Sequence, residues 1–395
     1  MRPLTALTLG ICGIFWLACS SAELDADAEG APPTPNPPTP DPRTPAAIAA
    51  AALPEGARLV ELYAPPARRS ATALAFHSEI EDELWVTLRQ FPTDLPCTSA
   101  VGTGCNALRG EVVLLSDATN RTPNALPKRD GNAWHFMRRP TSIAFGEGGN
   151  LATCGESRTD NYEDELIDYA GPVLWTSDPE IFGAVPKPGQ NGTHIDMLHS
   201  TPFCMGITHE TGNVYWAMNG QIGALDRYDF KAPHVVGGED HTDGELYRYV
   251  EGELARVPEV PSHLVLDREN RVLYAADTGN GRIVALDIDS GTRGGDVLEY
   301  DAMPVHVAML GAELVELVTP GTLERPSGIA LRGGALFVTD NATSMIDAFD
   351  TAGELLASFD TRLPAGTLAG IAIGPDGKAY LSDLGNGKVY RVDGE

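Results

Sequence analysis

Positive charge is scarce in this chain. Lys and Arg number 28 against 55 Asp and Glu, for a formal net charge of −27. Such a chain has no general electrostatic reason to bind a phosphate backbone, so nucleic acid is not an expected partner. Anionic lipid headgroups should repel it as well, and any membrane association has to come from an anchor. Helical periodicity is almost absent. No GxSxG elbow, P-loop or dinucleotide fingerprint is present, which removes the enzyme classes that depend on them. Cysteine is limited to six residues, and no spacing among them resembles a zinc ribbon. Long apolar runs are missing too, with one exception at the start.

That exception is "MRPLTALTLGICGIFWLACSS". One positive charge, Arg2, precedes a run of apolar and small residues that is short for a membrane span. The segment resembles a bacterial lipoprotein signal, in which residues 1–18 are removed and the next residue, Cys19, is lipidated. Trp16 stands where that family usually has Leu, which leaves ordinary secretion as the alternative. The resemblance implies a bacterial cell-envelope protein, lipid-anchored in the outer membrane or secreted. Ser20 rather than Asp after the Cys favours the outer membrane by the same resemblance.

Residues 19–57 read as a Pro-rich linker. "APPTPNPPTPDPRTP" carries almost no large apolar residue and cannot offset its ordering entropy, so an extended, mobile spacer is expected. "AAIAAAALPEG" within it is compatible with a short helix. Beyond the signal, four cysteines remain. Cys97 and Cys105 bracket the small Gly-containing loop "CTSAVGTGC" and read as a disulfide of an oxidising compartment. Closing that loop stabilises by about 2.6 kcal/mol in the chain-entropy model. Cys154 and Cys204 fall in expected strands, either paired across neighbouring sheets or as two separate buried thiols.

Residues 58–395 hold the organised part. Six segments share one pattern: "ATALAFH", "PTSIAFG", "CMGITHE", "PSHLVLD", "PSGIALR" and "LAGIAIG". Each alternates small and apolar residues, the period-2 mark of a strand, and each is followed by a turn and another strand. A sheet unit repeated six times at unequal spacing predicts an all-β, six-bladed β-propeller, lettered A to F here in chain order. The chain ends on "GKVYRVDGE", a third strand without a fourth. "ARLVELYAP" precedes blade A and is expected to close blade F as its outer strand. Trp85, Trp134, Trp175 and Trp216 read as inter-sheet packing, and the column Asn219, Asp277, Asp340 and Asp383 as caps of turns.

"ADTGNGRIVALD" and "SDLGNGKVYRVD" resemble NHL repeats, which form six-bladed propellers of the NHL/TolB-like kind. "VPSHLVLD" with "LYAADTGNGRI" is also similar to one blade of the peptidyl-α-hydroxyglycine amidating lyases. Those enzymes hold a metal at the propeller axis through His residues from several blades. The resemblance places His263 near such a ligand position. The aligned positions in the other blades, Ala73, Ser142, Gly206, Gly328 and Gly370, carry no imidazole, so the activity does not transfer with the fold.

Two runs flank blade C with a density of imidazole and carboxylate. "NGTHIDMLHSTP" contains His194, Asp196 and His199, and "HVVGGEDHTDGE" contains His234, Glu239, Asp240, His241 and Asp243. In an extended segment His194 and Asp196 point the same way. Loops entering successive inner strands share one face of a propeller. His199, His241 and His263 are therefore expected to meet there, with Asp196, Asp240 and His194 as further ligands or partners. Imidazole with carboxylate suits zinc, whereas carboxylates and carbonyls alone would suit calcium. The plain alternative is that His and Asp here only make turns and caps. Glu156 and Arg158, just past a blade B strand, are expected either to face a ligand or to pair with each other.

Three functions remain open on this reading. One is binding of a small molecule or a protein partner at the His/Asp-rich rim, through a metal. Another is a metal-dependent lyase or hydrolase, in which the ion polarises an oxygen and a carboxylate or His moves the proton. The last is a structural scaffold in which these loops have no chemistry.

Overall fold

The computed structural model describes residues 41–90, 109–159 and 169–394. The signal, Cys19 and the pair Cys97 and Cys105 lie outside the described residues. Apart from two short helices the described chain is strands and turns, arranged as six sheets. Each of blades A to E has the order inner strand to outer strand along the chain. Blade C, for example, runs Cys204–Thr211, Val214–Asn219, Ala224–Asp229, Glu245–Tyr249. The fold is a six-bladed β-propeller, as the repeat pattern predicts.

Each blade is buried on both faces because its neighbours pack against it. Six apolar clusters result, one per blade interface. Trp85 and Trp175 fill the A–B interface, Tyr215 and Leu174 the B–C interface, and Trp216 with Leu273 the C–D interface. Phe337 and Leu381 pack between E and F, and Tyr380 with Val86 between F and A. Trp134 differs, since it sits half-buried in the short helix Ala133–Phe136. Cys154 and Cys204 form a disulfide that ties blade B to the inner strand of blade C, with Cα atoms 5.3 Å apart. Closing a chain separation of 50 residues stabilises by about 4 kcal/mol in the chain-entropy model.

The ring closes as expected. Arg58–Tyr63 pairs antiparallel with Val389–Asp393, Arg58 facing Asp393 and Val60 facing Arg391, and completes blade F. The stretch that sequence allows to be a short helix, within residues 19–57, is one. Pro45–Ala52 is a helix whose N-cap, Thr44, accepts the Ala47 amide. Pro45 fits its first turn, where no amide hydrogen is needed. Ala49 and Ala52 are buried against blades E and F. The small side chains of "AAIAAAA" make that close approach feasible. No helix among the described residues is long and apolar enough to cross a membrane.

One addition breaks the four-strand plan. Between the third and fourth strands of blade D, residues 292–310 form a hairpin that crosses to blade C. Its strand Val305–Leu310 pairs parallel with Glu245–Tyr249, and Thr292–Asp296 forms the new edge. Blade C thereby becomes a six-stranded sheet whose former edge is covered.

Candidate metal centre at the blade B–C rim

The stretch around His194 is shaped by the strand that follows it. Asp196–Met197 pairs with Val173–Thr176 as the outer strand of blade B. The 234–241 loop of blade C is laid against it by backbone bonds: the Gly237 amide donates to His194 O (2.8 Å), and Gly237 O accepts the Asn191 amide (2.9 Å). Gly237 has φ 69°, and a Cβ there would lie 2.8 Å from Gln190 Cβ and from Gly192 O. Only glycine permits both the turn and the approach.

This contact brings three imidazoles together. His194, His234 and His241 each offer a ring nitrogen, all within 4.8 Å of one another. His241 Nδ1–H donates to Asp196 Oδ1 at 3.1 Å. His234 Nδ1–H donates to Val235 O at 2.7 Å, and its Nε2 is buried without a hydrogen-bond partner. With Nδ1 of both rings occupied, the neutral tautomer leaves Nε2 as a lone pair, the arrangement seen in carboxylate- or carbonyl-oriented metal ligands. His194 is fully buried, stacked on Phe136 at 3.8 Å, and neither of its ring nitrogens has a partner. Burial, with His234 and His241 adding to it, pushes its pKa down to about 2. It is therefore held as neutral imidazole, the form that can ligate. Asp196 is buried too, its Oδ2 is unpartnered, and burial raises its pKa although the His241 bond opposes that.

His199 stands beside the three, its ring centroid 6.1 Å from that of His241. Its Nδ1–H donates to Asp301 Oδ1 (2.6 Å) and its amide to Asp301 Oδ2 (2.7 Å). Asp301 comes from the inserted hairpin, 102 residues along the chain. Tyr169 stacks on the ring at 4.5 Å. The structure thus brings His199, His241, His194 and Asp196 into one neighbourhood and adds His234 and Asp301.

Two expected members are elsewhere. His263 lies in the central channel, where its Nε2 bonds to Thr141 O across blades (3.0 Å). Gly370 leaves room for it: a Cβ at Gly370 would sit 3.3 Å from His263 Cε1. This is a hydrogen-bonded structural His, with its pKa lowered to about 4 by burial. Asp240 is exposed and caps its own turn through Thr242 Oγ1 (2.8 Å), so it does not join the cluster.

Glu156 is likewise committed internally. It is buried, paired with Arg256 (2.7 Å) and Arg89 (3.3 Å), and accepts the Glu259 amide at 2.9 and 3.0 Å. That density of donors makes it a tie between blades A, B and D rather than an open ligand group. Arg158 is half-buried beside a cavity it shares with Arg139 and Phe203.

Sequence comparison gives no relative: no family model matches, and no curated protein matches. Solved structures do match. An auxiliary nutrient binding protein from Bacteroides thetaiotaomicron aligns at 11% identity with a TM-score of 0.51, over 82% of this chain and 69% of that one. A second, from Bacteroides ovatus, aligns at 11% identity with a TM-score of 0.50, over 83% and 70%. Virginiamycin B lyase from Staphylococcus aureus aligns at 12% identity with a TM-score of 0.42, over 85% and 99%. At such identities the two Bacteroides structures establish a shared fold, the six-bladed β-propeller, and nothing about the site.

Proposed function

We propose that this chain is a bacterial cell-envelope lipoprotein whose NHL-type propeller binds a divalent metal of the zinc class through His194, His234 and His241, and through it a small ligand or protein partner. One observation carries the metal reading: three imidazoles converge, and three of their buried ring nitrogens, both of His194 and Nε2 of His234, have no hydrogen-bond partner within the protein. Imidazole donors favour zinc over calcium, which takes oxygen. Ligand binding by the two Bacteroides proteins of shared fold is in keeping with this reading. Metal content of the purified full chain tests it. After zinc loading and dialysis about one zinc per chain is expected, falling to background in H234A/H241A; a wild-type chain that retains none overturns the reading.

The anchor is a separate claim resting on the signal-like N-terminus. Cys19→Ser should move the protein from the membrane fraction to the soluble fraction, and retention in membranes would count against it. A metal-dependent lyase or hydrolase is the second reading. His194, His234 and His241 would hold an ion that would supply Lewis-acid chemistry, and Asp196, bonded to His241 through Oδ1 with Oδ2 unpartnered, is the group at hand to accept a proton. Zinc-dependent turnover of α-hydroxyglycine-ended peptides by wild type but not H241A would select it.

A further inference from the structure

The inserted hairpin does more than cover an edge. Between it and blade C lies a cavity of about 520 Å³, larger than the channel cavity of about 410 Å³. Its floor is Ser200, Asn219 and Arg248, its walls include Ile222 and Ala308, and Glu251, Asp296, Leu298 and Tyr300 stand at its rim. The floor is almost fully satisfied. Arg248 is paired with Asp226 at 2.7 and 3.0 Å, and Asn219 bonds to Asp226 and to Ser200 O. The exception is Ser200, which is 3% exposed and whose Oγ has no partner.

The charge at the rim has one sign. Arg248 is neutralised by Asp226, whereas Glu251 and Asp296 are exposed and have no ion-pair partner among the described residues. Leu298 is 66% exposed and Tyr300 41%, an apolar edge with an aromatic face beside two carboxylates. An ammonium group fits the carboxylates and the tyrosine face, and an apolar body fits the walls.

We infer that this cavity is a binding site for a small amphipathic amine, with Glu251 and Asp296 holding the ammonium and Leu298 and Tyr300 the apolar body. The inference goes beyond the metal reading and is independent of it, because none of the three clustered imidazoles lines the cavity.

Three probes of similar size and different charge test it: 2-phenylethylamine, 2-phenylethanol and phenylacetate, titrated calorimetrically into metal-free full chain. The amine should bind about tenfold or more tightly than the carboxylate, with the alcohol between. E251Q/D296N should abolish the amine preference with a wild-type melting transition. A general attraction of amines to an acidic protein would survive E251Q/D296N, since most of the 55 acids remain. Amine binding unchanged in that variant, equal affinity for the three probes, or no binding of any of them would overturn the inference.

Discussion

The turn column of the propeller and the rim between blades B and C use the same residue types to opposite ends. In the column, Asp277 accepts the Ala255 amide, Asn280 and Arg282, each at 2.8 Å. Asp340 accepts the amides of Glu324, Arg325 and Ala342 at 2.7, 3.1 and 2.9 Å. Asn219 does the same for Gln221 at 3.1 Å, and Asp383 for Gly385 at 2.6 Å, with one Asp383 oxygen left over. At the rim, His194 has no partner on either nitrogen, and His234 Nε2 and Asp196 Oδ2 have none. Buried polar groups are normally satisfied, so the concentration of open groups at the rim, against the single one in the column, sets the two regions apart. The column is bonded almost throughout, whereas the rim leaves four buried atoms on three side chains open.

The largest effect should follow from breaking the column. Asp277 is fully buried, and Asp277→Ala strips a carboxylate from Arg282 and from two further donors. Arg282 keeps Glu253 O and a longer contact to Glu316, which limits the damage. A destabilisation of about 3 kcal/mol is expected, at the low end for a broken buried pair. Chemical denaturation measures it, and the loss should be the same with and without zinc. A zinc-dependent loss would mean that column and rim are one unit.

That division was partly legible in the sequence, for physical reasons. Strand alternation and "GNG" turns are local signals, so the blades, the capping role of the Asp column and the closing strand at 58–63 could be read directly. The hairpin at 292–310 could not. "TRGGD" has no apolar alternation, and its partner strand pairs in parallel with residues far back along the chain. Asp301 was invisible for that reason, and with it the orientation of His199. His194, His234 and His241 are visible in dense runs, but sequence alone favours His199, His241 and His263 as the trio; His199 turns to Asp301, His263 lies in the channel, and the loop that Gly237 clamps brings His194 and His234 to His241 instead. Aligning inner strands favours His263. The close backbone approach at Gly237 favours His234, and it decides the geometry.

His263 sharpens the comparison because it is an imidazole that behaves like the column. Its folded pKa is lowered from the ordinary 6.5 to about 4, chiefly by burial. Above pH 6.5 it is neutral in both folded and unfolded chains and contributes no pH dependence. Between pH 6.5 and 4 the unfolded chain takes up a proton that the folded chain refuses, so stability falls as pH falls through this window. Below about 4 the loss is complete, on the order of 3 kcal/mol. Carboxylates also begin to titrate at the acid end, so the readout is the difference from His263→Gln. The variant should show a flatter stability profile from pH 6.5 to 4. Parallel profiles would show that His263 is not held neutral by the channel.

The smallest effect is expected where the rim itself is altered without metal. His194→Phe keeps a flat ring for stacking on Phe136 and removes two nitrogens that make no hydrogen bond. Relief of the buried polar group is worth about 1–3 kcal/mol, and the slightly larger ring costs a comparable amount in packing. The net change in metal-free protein should stay within about 1 kcal/mol. Zinc then separates the two chains. An ion bound only by the folded state stabilises by about 2.7 kcal/mol at a hundred times its dissociation constant, and the wild-type melting transition should rise accordingly. The variant, with one of three imidazoles gone, should show little rise. A metal-free variant destabilised by several kcal/mol would place His194 among the structural groups of the core. A full zinc-induced rise in the variant would remove it from the metal site.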